Sequence, residues 1–425
     1  MKITFSVIFF IHASLVFSQN SLKEFVQSNT IPILSISPDS TNFSDLEEIG
    51  NAIGNSRIVM LGEQDHGDAP TISAKTRLIQ FLHERKGFNV IAFESDFFSA
   101  TYGFEKTAKA KQDFLNFCKA NIVPYWTLCD AAFPLFDKII PESFSSKDPL
   151  IIAGFDNQMF YRHSTKHLAH YIDSISRAYD AELVKNAIFY DSILSAISIL
   201  SNPIICNSQN KSFYKNALNG LRILKEDILV KAGADNIACI LIANLNAFTQ
   251  QLLSKNNFTS MVNIRDIQMA ENLYWLCNIK FPTEKIIVWA ANYHISKYMG
   301  HFKKNSLNGN ISMAGEFTKD SVLDKTTYII GFTSYGGEAG RIGTKIFKVD
   351  PPKKNGFETW IDEKTDFAFI DFRKFNLLNP NYDMEFDMKS CVTDNNVHKS
   401  NPGQWNRIFD GIFFIRNMYP CRIKH

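Results

Sequence analysis

Charge of one sign is what this sequence has least of. Its 425 residues carry 45 Lys and Arg against 43 Asp and Glu, a formal net charge of +2, with no block of five or more basic residues. Near-neutrality leaves no electrostatic footprint for nucleic acid, and no polybasic patch for a membrane surface. Gly and Pro are modest at 20 and 14, which excludes collagen-like and low-complexity classes, and no internal repeat is present. None of the seven cysteines (Cys118, Cys129, Cys206, Cys239, Cys277, Cys391 and Cys421) stands in C-x-x-C spacing, so neither a zinc ribbon nor a thioredoxin-like site is supported. In a chain this long they read as minor staples or buried small hydrophobes, and the odd count leaves at least one unpaired.

Several catalytic signatures are missing as well. His83-Glu84 lacks the second His of H-E-x-x-H, and Phe332 stands where a G-x-S-x-G elbow around Ser334 needs its first Gly. There is no P-loop and no Rossmann glycine fingerprint. His163, His167 and His170 share one helical face, which reads as solvated rather than metal-binding.

What is present is ordinary globular composition, 45% hydrophobic and 21% charged, enough to bury a sizeable core. Residues 1–18 combine Lys2, an apolar stretch and small residues before a polar break, the pattern of a secretory signal peptide. Val16 and Ser18 suit the −3 and −1 positions, so a mature chain is expected to begin near Gln19 and to be secreted or periplasmic. No later segment reaches eighteen uninterrupted apolar residues, so no integral span is expected after cleavage.

Five short apolar runs each pass directly into polar residues: 57–61 into 62–67, 89–93 into 94–96, 150–153 into 154–156, 285–289 into 290–294, and 327–330 into 331–334. Continuous β-branched runs suit strands buried on both faces, as in parallel sheets. A helix is expected from Pro70 to Arg85, with Gly87 just past its end. Residues 160–282 read as a helical insertion or lid, residues 376–401 as an Asn- and Asp-rich surface loop, and 367–370 and 411–415 as further strands. The fold class is therefore α/β, with a mainly parallel central sheet flanked by helices and one unit from 19 to 425. Ligands in such sheets bind beyond the carboxyl ends of the strands, where the polar residues gather.

The loop Gly62-Glu63-Gln64-Asp65-His66-Gly67 places a carboxylate and an imidazole three residues apart in a strand-to-helix turn. Histidine is the usual general base near neutral pH. Glu94 ends the next strand in sequence, expected to lie close to the first, and a buried carboxylate there needs a partner, for which His66 is the natural candidate. Asn292 and His294 add an amide and a second imidazole, and Lys75 a positive charge for an oxyanion. Two Glu and two His converging activate water directly or hold a metal.

In order along the chain, the G-E-x-x-H-G loop, Gly87 to Glu94, Gly154-Phe155-Asp156, Arg265-Asp266 with Met269-Ala270, Asn272 and Trp275, the Trp289 to His294 segment and Asp410-Gly411 together resemble the erythromycin esterase family. The resemblance implies an α/β core with helical elaboration around a deep cleft. It also implies hydrolysis of an ester, in the type members the macrolactone ring of macrolide antibiotics. By position it implies functional roles for Glu63, His66, Glu94 and His294, a basic residue at Lys75, and substrate-binding or oxyanion roles for Arg265 and Asn292. Where the family's A-H-N-x-H segment has its first His, this chain has Ala291, which implies a changed choice of substrate.

The expected activity is that of an exported hydrolase acting on a small-molecule ester or lactone through His66-activated water, without a cofactor. Within that class, the alternative is a divalent metal held by the same Glu and His side chains. Outside it, the alternative is a non-catalytic protein binding haem or another large apolar ligand.

Overall fold

The structure, a computed structural model, describes residues 22–303, 307–390 and 398–423. The signal-like segment 1–18 and Cys391 lie outside the described residues. The strands in chain order are β1 (Ile31–Pro32), β2 (Ile58–Leu61), β3 (Phe88–Asp96), β4 (Ile151–Asp156), β5 (Lys285–Trp289), β6 (Thr327–Ala339), β7 (Phe347–Lys348), β8 (Phe367–Asp371), β9 (Phe386–Lys389), β10 (Ser400–Gly403) and β11 (Gly411–Met418). The main sheet runs β1-β8-β11-β6-β2-β5-β3-β4. It is parallel from β11 through β4; at one edge β8 pairs antiparallel with β11, and β1 pairs antiparallel with β8.

Every side chain of β2 is buried because the sheet is covered on both faces, as the unbroken run Ile58-Val59-Met60-Leu61 requires. Alternation then sorts the strands into two cores. Ile58, Met60, Val90, Ala92, Ile286 and Val288 pack with the helical region, including Leu168, Leu221 and Leu273. Val59, Leu61, Ile91, Phe93, Ile287 and Trp289 pack against Leu78, Phe81 and Leu82 of helix Ala69–Lys86. That helix has Pro70 in its first turn and ends at Gly87 in a left-handed conformation, φ 74°.

Between β4 and β5 the chain forms helices Arg162–Ala178, Ala187–Leu200, Lys211–Ala232, Ile237–Leu253 and Phe258–Trp275. Asn186, Asn210, Asn236 and Asn257 start four of them by accepting a first-turn backbone N–H, the role for which a short amide side chain is favoured. No helix among the described residues is long and apolar enough to cross a membrane.

Two expectations need correction. β5 lies between β2 and β3, so the strands ending at Glu63 and Glu94 are not neighbours. A sequence shows local order, not which strand returns between two others. The described part of 376–401 is not simply a surface loop either, because β9 pairs antiparallel with β10 and Lys389 and Ser390 are fully buried. The Lys389 Nζ is satisfied there by the carbonyls of Tyr335 and Asp350, 2.6 and 2.8 Å away.

Candidate active site

The carboxyl ends of the parallel strands converge on one cleft. After β2, the 62–68 loop folds on itself: Asp65 N–H donates to Asp68 Oδ2 at 3.0 Å and His66 N–H donates to Asp65 Oδ1 at 2.8 Å. Both motif glycines are required by close approach. A Cβ on Gly62 would sit 1.9 Å from Asn292 Oδ1, and one on Gly67 would sit 2.3 Å from the Gly340 carbonyl oxygen.

Glu63 is fully buried and shared three ways. Its Oε1 lies 2.6 Å from His66 Nδ1 and accepts from Trp126 Nε1 at 3.1 Å; its Oε2 accepts from Lys75 Nζ at 2.8 Å. Burial alone would raise the Glu63 carboxyl, but Lys75 and His66 override it and hold it below the ordinary range. An ionised carboxylate only accepts, so the proton on His66 belongs on Nδ1 and its Nε2 is left as the basic nitrogen. The imidazole stacks on Tyr125, centroids 5.9 Å apart, and meets Trp126 edge-on at 5.6 Å.

Glu94 belongs to a second cluster. The β3–β4 register shifts between Phe93 and Asp96, so Glu94 sits where β3 leaves regular pairing. Its Oε1 accepts from Arg265 Nη2 at 2.9 Å and lies 3.2 Å from His294 Nε2, and its Oε2 accepts from the Ala291 N–H at 3.0 Å. His66, the partner expected for Glu94, is instead held by Glu63. Arg265 also grips Asp156 at 3.2 and 2.7 Å, and His294 Nδ1 lies 2.8 Å from Asp266 Oδ1. Arg265 Nη1 stands 3.2 Å from His294 Nε2, where two donors cannot satisfy each other. The flanking carboxylates decide the matter: burial would lower the imidazole, but Asp266 and Glu94 carry it up to about 10, so His294 is a cation.

Two other expected residues take different tasks. Lys75 is fully buried behind Glu63, with its ammonium 4.0 Å over the Trp289 ring, and it lines neither cavity beside His66. The Asn292 amide donates to the Phe332 and Ser390 carbonyls at 2.8 and 2.7 Å, and its backbone N–H donates to the Glu63 carbonyl at 2.8 Å. It fixes the loop's entry rather than facing a ligand.

The cleft has two lobes. A cavity of about 590 Å³ is bordered by His66, Ala291, His294, Arg265, Met261 and Phe258 among others. A smaller one of about 190 Å³ includes Glu94, Val123, Tyr125, Trp126, Phe160 and Tyr161. His66, Gln158, Arg265 and Arg341 border both. Trp126, Tyr125 and Arg341 escaped the sequence reading, since no spacing ties Trp126 to Glu63 across 63 residues or Arg341 to Asp65 across 276.

Buried carboxylates thus meet imidazoles at the open end of the parallel sheet. The chain belongs to the erythromycin esterase family, whose sequence model matches residues 142–418. It is similar to "Putative hydrolase YbfO" of Bacillus subtilis (strain 168), 28% identical over 361 residues, 79% of this chain and 78% of that protein. Solved structures share the fold. A Bacillus cereus protein has a TM-score of 0.73 at 18% identity, over 96% of this chain and 99% of that one. A succinoglycan biosynthesis protein has 0.71 at 20%, over 96% and 99%. A mutant of the erythromycin esterase EreC in its open conformation has 0.68 at 17%, over 93% and 98%.

Proposed function

We propose that this chain hydrolyses an ester or lactone bond with water activated by His66. The observation that carries the reading is the Glu63–His66 contact, which fixes the Nδ1 proton and leaves Nε2 as the base on a ring that borders both lobes. Nε2 takes a proton from water as the oxygen bonds to the carbonyl carbon, and the C=O π pair moves onto the carbonyl oxygen. Collapse of that adduct breaks the C–O bond, and the leaving alkoxide recovers the proton from the His66 imidazolium. Lys75 acts through Glu63 as a positioning residue. His294, a fixed cation at the larger lobe, and Arg265 hold Glu94 and the wall around it.

The substrate is a small molecule whose larger part meets an apolar wall at Ala291, Met261 and Phe258. No metal is needed. Glu63 and Glu94, the carboxylates that would ligate one, are already neutralised by Lys75 and Arg265. Export is part of the proposal, supported by residues 1–18 and by the Cys129–Cys421 disulfide, a bond that persists in oxidising compartments. The purified protein should hydrolyse members of an ester and lactone panel equally well with and without chelator. Loss with chelator restored by a divalent ion would establish the metal-dependent alternative. A bound chromophore with no turnover would establish a binding protein.

A further inference from the structure

We propose that Arg341 receives the oxyanion of the tetrahedral adduct, an assignment that rests on the hydrolase reading above. A substrate spanning both lobes passes the side chains common to them, His66, Gln158, Arg265 and Arg341. The nearby cations differ in what they have left to give. Lys75 is sealed behind Glu63. Arg265 spends Nε and Nη2 on Asp156 and Glu94, whose carboxylates already balance its charge. His294 is held between Asp266 and Glu94.

Arg341 is different. It extends from the turn between β6 and β7, and its side chain is 36% exposed. Its Nε donates to Asp65 Oδ1, the oxygen that also accepts the His66 backbone N–H. A guanidinium has five N–H donors in a rigid fork, so the nitrogen anchored on Asp65 aims the others, one of which interacts with the Tyr125 side chain. The group lies over the Tyr125 ring, 5.4 Å from its centroid, and His66 stacks on that same ring. The missing Cβ of Gly67 makes this possible, since it would lie 2.8 Å from the Arg341 Cα. The last glycine of the motif thus lets a distant hairpin bring a cation to the cavity linings that include His66. A preorganised donor at that point acts where negative charge develops.

The test compares Arg341→Ala and Arg341→Lys with the wild type on the best ester of the panel, with melting curves as folding controls. Arg341→Ala should lose about a hundredfold in kcat with little change in KM, the usual effect of removing one oxyanion donor. Arg341→Lys should recover part of the rate. Added guanidinium at low millimolar concentration should partly rescue Arg341→Ala and should not rescue His66→Asn. Calorimetric titration with phenylphosphonate, a tetrahedral anion, needs no turnover; Arg341→Ala should weaken its binding at least about tenfold. Wild-type kcat in Arg341→Ala, a loss that neither lysine nor guanidinium relieves, or equal phenylphosphonate affinity would overturn the assignment. Turnover that survives His66→Asn would instead sink the general-base reading, and the phosphonate comparison would still decide Arg341.

Discussion

Glu63 holds His66 through one carboxylate oxygen, at 2.6 Å, while Lys75 holds the other at 2.8 Å. The imidazole is thereby oriented from the sealed side of the cleft. Glu63→Gln removes the charge that fixes the Nδ1 proton, and kcat should fall at least about a hundredfold. Lys75 would be left buried without its counter-charge, which should cost about 3–5 kcal/mol of stability. Steady-state kinetics and urea unfolding check the two effects separately, and a near-normal rate would remove Glu63 from the chemistry.

Lys75 sets an alkaline limit. Burial pushes its ammonium down to about 8 against the pull of Glu63 and Glu94. As pH rises through about 8 the lysine loses its proton and Glu63 loses its counter-charge, so kcat should decline. Lys75→Arg stays protonated and should extend the plateau to higher pH. Coincident alkaline limbs in the two pH–rate profiles would rule this out.

His294 gives a stability signature. Its imidazole is raised from an ordinary 6.5 to about 10, so the folded protein holds that proton more tightly than the unfolded chain. The stabilisation is complete below about 6.5 and is lost as pH rises through about 10. Lys75 and Lys389, both lowered to about 8, work in the opposite sense only above that value, and the lowered His163 and His301 work in the opposite sense up to about 6.5, so His294 dominates the interval from about 6.5 to 8. Melting temperature should fall across this interval in the wild type and less steeply in His294→Gln. Parallel slopes would contradict the assignment.

The Cys129–Cys421 disulfide stitches the tail beside the 62–68 loop. Asp130 N–H donates to the Arg422 carbonyl and Cys421 N–H to the Gly67 carbonyl, so the tail bridges the Trp126 segment and the His66 loop. Replacing both cysteines by serine should lower stability by about 2–4 kcal/mol. It should also lower kcat, by loosening Trp126 on Glu63. Melts and rates with and without reductant check this, and an indifferent enzyme would show the staple to be idle.

Much of this was legible along the chain. The five strands, helix Ala69–Lys86 and the Glu63–His66 pair are local features, set by apolar runs, a proline and a glycine at the helix ends, and a three-residue spacing. What was not legible depends on strand order and return paths. β5 enters between β2 and β3, which gives Glu94 to Arg265 and His294 rather than to His66. Lys75 does lie beside the loop, but its helix turns it behind Glu63, away from the cleft. Trp126 and Arg341 arrive from segments whose sequence carries no periodic signal.

A serine elsewhere in the molecule also has an imidazole and a carboxylate behind it. Ser334 Oγ lies 3.4 Å from His398 Nδ1, and His398 Nε2 lies 3.2 Å from Asp68 Oδ1, a serine–histidine–aspartate order. All three are fully buried and border neither lobe around His66, so the arrangement pins the loop at Asp68 rather than attacking a substrate. The decisive measurement is kcat for His66→Asn and Ser334→Ala on one hydrolysed ester, with melting curves for both. His66→Asn should lose at least about a hundredfold with its fold intact, and Ser334→Ala should stay near the wild-type rate. Near-normal turnover in His66→Asn together with a dead, folded Ser334→Ala would replace the water mechanism with a serine nucleophile.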